Sequence, residues 1–361
     1  MTAGILLRCL REPSAMAGLT AAEWTDIMQR ARPRALMGKL AQRAADARVE
    51  PLPPAVRRQF ASVSRLCAYN GENLRSEAFM VLHALGAVDT PVMFLKGAAY
   101  ALLDLRVARG RVSSDIDILV PRDRLPAVEQ ALGAAGWQGM KLDDYDQRYY
   151  RQWMHELPPL RHRHRATVMD VHHTILPPTG RIRPDVAALL RDAVAVDVLG
   201  RAAWAPNPAD MVVHAALHLF QDGDLAERLR ELVDLHELLE EFSAQPGFWD
   251  HLAERARLHR AGRPLGHALA FAARLLGTPV PPDFAASLPG RPGSVAAAAM
   301  NRLVPPALVP SHPDRVAVGA ALARLLLFMR AHWLRMPPLL LARHLAVKAW
   351  AGLGRRLGRS V

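Results

Sequence analysis

Ser113-Ser114-Asp115-Ile116-Asp117-Ile118-Leu119-Val120 is the stretch on which the fold turns. Pro121 stops it, and its β-branched apolar residues suit a strand. Side chains alternate across a strand, so Asp115 and Asp117 share one face while Ile116, Ile118 and Val120 enter the core on the other. The two aspartates are about 7 Å apart along the backbone. Like charges this close repel unless something compensates them, and a divalent cation with oxygen ligands is the natural compensation.

Upstream, Pro91-Val92-Met93-Phe94-Leu95 is a short apolar run that predicts a buried strand, and Gly97 leads it into a helix over 98–105. A helix start offers free N–H groups and a positive dipole to phosphate. Lys96 adds a point charge, and Arg111 stands four residues before Asp115 in a loop able to cover phosphates. Downstream, a helix is expected over 125–135, then two strands over 152–160 and 166–173, joined by the basic turn Arg161-His162-Arg163-His164, which reads as solvated. In Val168-Met169-Asp170-Val171-His172, Asp170 and His172 share one face. If this strand neighbours the Asp-Ile-Asp strand, Asp170 completes a three-carboxylate cluster.

These elements resemble nucleotidyltransferases of the DNA polymerase beta-like superfamily. More narrowly, they resemble an uncharacterised bacterial family with a Leu-Lys-Gly turn, an Arg-x-x-x-Asp-Ile-Asp-Leu-Leu-Val strand and a later Asp-Leu-His. Here those are Leu95-Lys96-Gly97, Arg111 to Val120, and Asp170-Val171-His172. Asp210 with His214 and His218, and Arg228-Leu229 through Asp234-Leu235, are similar to the family's later helices. The resemblance implies transfer of a nucleoside monophosphate from a nucleoside triphosphate to a hydroxyl on a small molecule, saccharide, RNA or protein. It implies Mg²⁺ or Mn²⁺ on Asp115, Asp117 and Asp170, with Asp170 either a ligand or the group that activates the acceptor. Lys96, Gly97, Arg111, Ser114 and His172 would line the nucleotide site. Ala98 departs from the superfamily's usual Gly or Ser after the turn glycine, leaving Ser113 or Ser114 as substitutes. A fold that binds nucleotide without chemistry, or a membrane-peripheral assembly module, stays open as the alternative.

Outward from this core the chain reads as α+β: a small mixed sheet over 89–200 between helical regions. Residues 1–88 are helical with nothing chemical in them. Residues 184 onward return to helix, with Asn207-Pro208-Ala209-Asp210 as a start signal. Residues 201–278 form a helical cap, and 279–361 a basic region broken by proline and glycine near 278–294 and 304–313. His214 and His218 lie on one helix face, where Asp234 is a candidate hydrogen-bond partner; inter-helix packing and a substrate-pocket role both fit them.

Of 361 residues, 51% are hydrophobic, enough for a sizeable core. The two cysteines sit in no metal-binding spacing, which fits a reducing cytoplasm. The apolar run before Arg8 is shorter than the roughly 7–15 residues of a signal peptide, and no stretch suits a membrane span. The net charge of +12 favours polyanionic company. No acidic residue follows Asp314, and an amphipathic helix over 321–333 with Arg324 and Arg330 on its polar side makes peripheral membrane contact through 315–361 an expectation.

Overall fold

The computed structural model describes residues 3–140, 144–165, 167–222, 224–290, 293–314 and 317–343. Four helices come first: α1 (Ala3–Arg11), α2 (Ala21–Ala31), α3 (Met37–Asp46) and the long α4 (Pro54–Ala84). The sheet region follows as β1 (Met93–Leu95), α5 (Lys96–Leu102), β2 (Asp115–Leu119), α6 (Leu125–Ala134), β3 (Trp137–Gly139), α7 (Asp144–Trp153), β4 (Leu160–His162), β5 (Val168–His172), α8 (Val186–Arg191), β6 (Val194–Val198) and β7 (Arg201–Ala205). Helices then return: α9 (Pro208–Leu217), a π-helical turn (His218–Asp222), α10 (Leu229–Phe242), α11 (Phe248–Leu258), α12 (Gly262–Leu276), α13 (Pro282–Ser287), α14 (Ser294–Leu308) and α15 (Val318–Arg335). The α+β class expected from the sequence is what the chain adopts.

The seven strands run in the order β3-β4-β5-β2-β1-β7-β6. β2 is flanked by β1, antiparallel, and β5, parallel. Ile116 and Ile118 are fully buried on its core side, as alternation requires. The β2–β5 register sets Asp117 opposite Asp170 and Asp115 opposite Val168. Asp117 also faces Leu95 at the end of β1, so the turn carrying Lys96 lies beside it.

Several local expectations change. The stretch 152–160 is not a strand: its start ends α7, and only a single bridge between Glu156 and His172 precedes β4. The aromatic run before it, Tyr149-Tyr150-Arg151-Gln152-Trp153, makes an amphipathic helix instead. Residues 194–205 form the β6–β7 hairpin rather than helix, closed by Leu199-Gly200, both with positive φ. The break expected from 304 begins later, because α14 carries Pro305 and Pro306 and ends at Leu308. His162 is buried, not solvated; its Nδ1 accepts from the backbone N–H of His164 and Arg165 and shapes the turn.

The α9 start follows its signal: Asn207 Oδ1 accepts from Asp210 N at 2.9 Å, with Pro208 at the first position. The last helix inverts its expected polarity. Arg324 of α15 binds Glu227 at 2.9 Å and Arg330 donates to the Phe220 carbonyl at 2.9 Å, while Leu322, Leu325, Phe328 and Met329 face outward. Residues 315, 316 and 344–361 of the basic tail lie outside the described residues.

The N-terminal helices share one apolar core with the rest and reach further still. Lys39 of α3 is fully buried, and its Nζ donates to Glu237 Oε2 at 2.6 Å and to the Val107 carbonyl at 2.7 Å, with Asp234 Oδ1 3.4 Å away. Removing one member of such a set leaves uncompensated buried charge. Lys39→Met is therefore expected to cost about 3–5 kcal/mol in urea unfolding; an unchanged midpoint would show that the two carboxylates find other partners.

Candidate active site

Asp117 is almost wholly buried, and its Oδ1 accepts from Lys96 Nζ at 2.7 Å and His172 Nε2 at 2.9 Å. Burial works against its charge, but Lys96 and the His172 hydrogen bond outweigh that and hold its carboxyl well below the usual range. Burial likewise opposes the Lys96 ammonium, and Asp117 more than compensates, keeping it protonated. Lys96 has a left-handed backbone with φ 46°, a strain of about 1–3 kcal/mol that places its side chain over the sheet. Asp170 has no such cation against it. Burial, then Asp117 and Asp115, push its carboxyl up to about 7, and its Oδ1 is buried without a hydrogen bond. Three aspartates on one face, with one orphaned oxygen, form a donor set that fits a hard divalent cation.

Asp115, Asp117, Asp170, Lys96, Arg111 and Ser114 line one cavity of about 320 Å³. The loop leading to Asp115 is fixed by Asn70 of α4, which donates to the Ser113 carbonyl at 3.0 Å and accepts from Ser113 N at 2.8 Å. Arg111 is anchored: its Nε donates to Asp234 Oδ2 at 3.1 Å, its guanidinium lies over the Tyr100 ring at 5.7 Å, and it contacts Ser113 Oγ. Asp234 thus pairs with Arg111 and Lys39 rather than with a histidine. Gly97 is buried directly beneath this corner; a Cβ there would run into Arg111 Nη1 and Ser113 Oγ. The glycine lets the β1–α5 turn and the Arg111 loop close on each other.

The opposite wall is helical. His214 of α9 and His218, the first residue of the π-helical turn, face the cavity in an edge-on pair with ring centroids 6.5 Å apart. His218 Nδ1 lies 3.2 Å from Glu231 Oε2, which also accepts from Arg228 Nη1 at 3.2 Å. Although burial opposes its charge, Glu231 is held down at about 2 by His218 and the arginines. The π-helical turn begins at His218; such turns often mark functional sites. Arg230 ties this wall to the other side through the Val112 carbonyl at 3.1 Å.

Every site residue expected from the sequence comes to this corner of the fold. His172 is buried and reaches the site through Asp117 rather than by lining the cavity. Sequence reasoning missed His155, Glu156, Arg228, Arg230 and Glu231, which line the cavity, and Lys39 and Asn70, which brace it. For His155 and Glu156 the misread strand over 152–160 hid the signal, an adjacent His-Glu pair two residues before Pro158. His155 stacks on His172 with centroids 5.2 Å apart. Burial keeps the imidazoles of His155, His172 and His214 on the neutral side of their usual range.

A family model described as uncharacterised nucleotidyltransferase matches residues 20–277. The chain belongs to this nucleotidyltransferase family. The match takes in the braces on α3 and α4, the sheet and the α9–α10 wall, and it assigns the chain to nucleotidyl transfer in general terms. No curated protein matches the chain.

Gly97→Ala is expected to destabilise this nucleotidyltransferase by about 1–3 kcal/mol through overpacking. The cost should be smaller in an Arg111→Ala background, as read by urea unfolding of the four proteins of the cycle. Equal costs in both backgrounds would remove the contact with Arg111 as the cause.

Proposed function

We propose that the chain moves a nucleoside monophosphate from a nucleoside triphosphate to an acceptor hydroxyl, releasing pyrophosphate. The observation that carries this reading is the β2–β5 register, which sets Asp117 beside Asp170 with Asp115 on the same face. Asp115, Asp117 and Asp170 would hold Mg²⁺ or Mn²⁺, which when bound neutralises charge on the triphosphate and at the reacting phosphorus.

The chain's own groups have distinct tasks. The acceptor oxygen forms a new bond to the α-phosphorus as the bond to the β-phosphate bridging oxygen breaks, and pyrophosphate leaves with that electron pair. Asp170, whose carboxyl is pushed up by burial and by the two neighbouring aspartates, takes the hydroxyl proton or joins the other two as a ligand. Lys96 is held by Asp117 and lies at the mouth of the turn, placed to exchange that carboxylate for a phosphate oxygen. Arg111 and Ser114 line the same cavity as donors for the triphosphate. Gly97 keeps the turn tight enough for Arg111 to stay there. His172 positions Asp117 from behind. The acceptor belongs to the space between Asp170 and the His214–His218 wall, where a small molecule, a saccharide, or a hydroxyl of RNA or protein can enter.

Calorimetric titration with each nucleoside triphosphate, with and without Mg²⁺ or Mn²⁺, tests this. Cation-dependent binding by the wild type is expected, falling by more than about 100-fold in Asp115→Ala/Asp117→Ala, a loss of about 2.7 kcal/mol. Equal binding by the variant would remove these aspartates from the nucleotide site. Cation-dependent binding without pyrophosphate release on any acceptor would make the protein a nucleotide-binding module instead.

No helix among the described residues is long and apolar enough to cross a membrane. The acid-free sequence after Asp314 and the outward apolar side of α15 support peripheral contact with an anionic bilayer as part of the same proposal. Co-sedimentation with anionic but not neutral vesicles is the expected result, and no sedimentation with either would discard it.

A further inference from the structure

His155, Glu156 and His172 are brought together by a contact the sequence does not advertise. The chain leaves α7, turns at Met154 and makes one bridge to the end of β5, pairing Glu156 with His172. One ligand-type atom from each of the three residues lies within 4.8 Å of the others. Glu156 Oε2 is 3.3 Å from His172 Nδ1 and 3.7 Å from His155 Nε2. In a tetrahedral site with bonds of about 2.0–2.2 Å, ligand atoms stand about 3.3–3.6 Å apart. The two edges to Glu156 already have nearly that length.

The hydrogen-bond geometry agrees. His172 Nε2 is 2.9 Å from Asp117 Oδ1. Its other ring nitrogen, Nδ1, is buried, makes no hydrogen bond and lies 3.3 Å from Glu156 Oε2. A histidine that donates from one nitrogen to a carboxylate and offers the other to a cation is the usual arrangement around a protein-bound metal. His155 is also buried, and its Nδ1 likewise has no hydrogen-bond partner.

We propose that His155, Glu156 and His172 form a second metal centre, which takes a first-row transition-metal ion of the Zn²⁺, Fe²⁺ or Co²⁺ type through two imidazole nitrogens and one carboxylate oxygen. It differs in chemistry from the all-oxygen aspartate set and stands independently of nucleotidyl transfer. His155 and Glu156 line the cavity, so a fourth position opens toward substrate. Three protein ligands with one open position are the pattern of a catalytic rather than a purely structural ion. Asp117 links the two centres, contributing one oxygen to the His172 hydrogen bond while its carboxylate faces Asp170 across the strand pair.

The test uses the full chain, stripped of metal by chelation and titrated with Co²⁺ in a large excess of Mg²⁺, which occupies hard oxygen sites and competes poorly for imidazole. One equivalent of Co²⁺ is expected, with visible d–d absorption of a low-coordinate site, and X-ray absorption on that complex should show two imidazoles. His155→Ala and Glu156→Ala should weaken Co²⁺ binding by more than about 100-fold, beyond the roughly 10–100-fold that loss of an outer hydrogen bond costs a metal site. Asp115→Ala should leave it unchanged. An all-oxygen X-ray absorption shell on the wild type, or Co²⁺ binding lost in Asp115→Ala and kept in His155→Ala, overturns the proposal. So does the lack of stoichiometric binding. The wild-type X-ray absorption measurement decides the matter even if a variant fails to fold. Nucleotide titration of the same samples separates this outcome from the fate of the nucleotidyltransferase reading, because nucleotide binding is expected to depend on Asp115 and Asp117 whether or not the second centre exists.

Discussion

A carboxylate taken out of water has to be matched, and Asp117 sets the terms for much of this molecule. It is the buried member of the Asp-Ile-Asp pair, placed by β2 in the middle of the sheet. Its charge survives because Lys96 and His172 both donate to the same oxygen. Each donor constrains what surrounds it. Lys96 reaches it from a left-handed backbone at the first residue of α5, and the glycine that follows leaves room for Arg111 and Ser113. His172 can reach only if β5 lies parallel and in register with β2, which also delivers Asp170. Asp170, beside Asp117 and Asp115 and with one buried oxygen lacking a hydrogen bond, is a place where a cation or a proton would relieve repulsion.

The second layer of charge is arranged by the same logic at greater depth. Arg111 is held by Asp234, Asp234 lies near Lys39, and Lys39 is held by Glu237, which also accepts from Arg43. This chain of alternating signs runs from the cavity through α10 into α3, so the N-terminal helices brace the loop that covers the site. Buried ion pairs of this sort contribute little net stability, because desolvation offsets the attraction. Their effect is geometric, since an arginine held at its root presents its guanidinium in one place.

How far the sequence revealed this depends on the range of the interaction. Alternation alone placed Asp115 and Asp117 on one face and Ile116 and Ile118 in the core. The parallel neighbour carrying Asp170 was reachable by supposition, since strand pairing is a long-range fact, but the Asp-x-His pattern made the supposition natural. The α9 cap was legible because Asn207 and Asp210 act within one turn. The β6–β7 hairpin carried a local signal that sequence reasoning missed: Val194, Val196 and Val198 alternate at strand period before Leu199-Gly200, while the alanines of β7 read as helix. Lys39 and Asn70 were invisible for another reason: both sit in ordinary helical surroundings, and their partners lie more than 40 residues away. The inverted polarity of α15 has the same root, as Arg324 and Arg330 look like a solvent face until Glu227 and the Phe220 carbonyl are placed against them.

That last contact concerns inheritance as well as packing. The match to the family model ends at residue 277, yet Arg330 supplies the hydrogen bond for the Phe220 carbonyl in the π-helical turn that begins at His218. A widened turn leaves carbonyls that the helix itself does not fully satisfy, and here the partner comes from a helix outside the matched residues. The border of the family match and the border drawn by folding therefore fall at different places. A relative without an equivalent of α15 would need another donor at that carbonyl, or a different His218 wall.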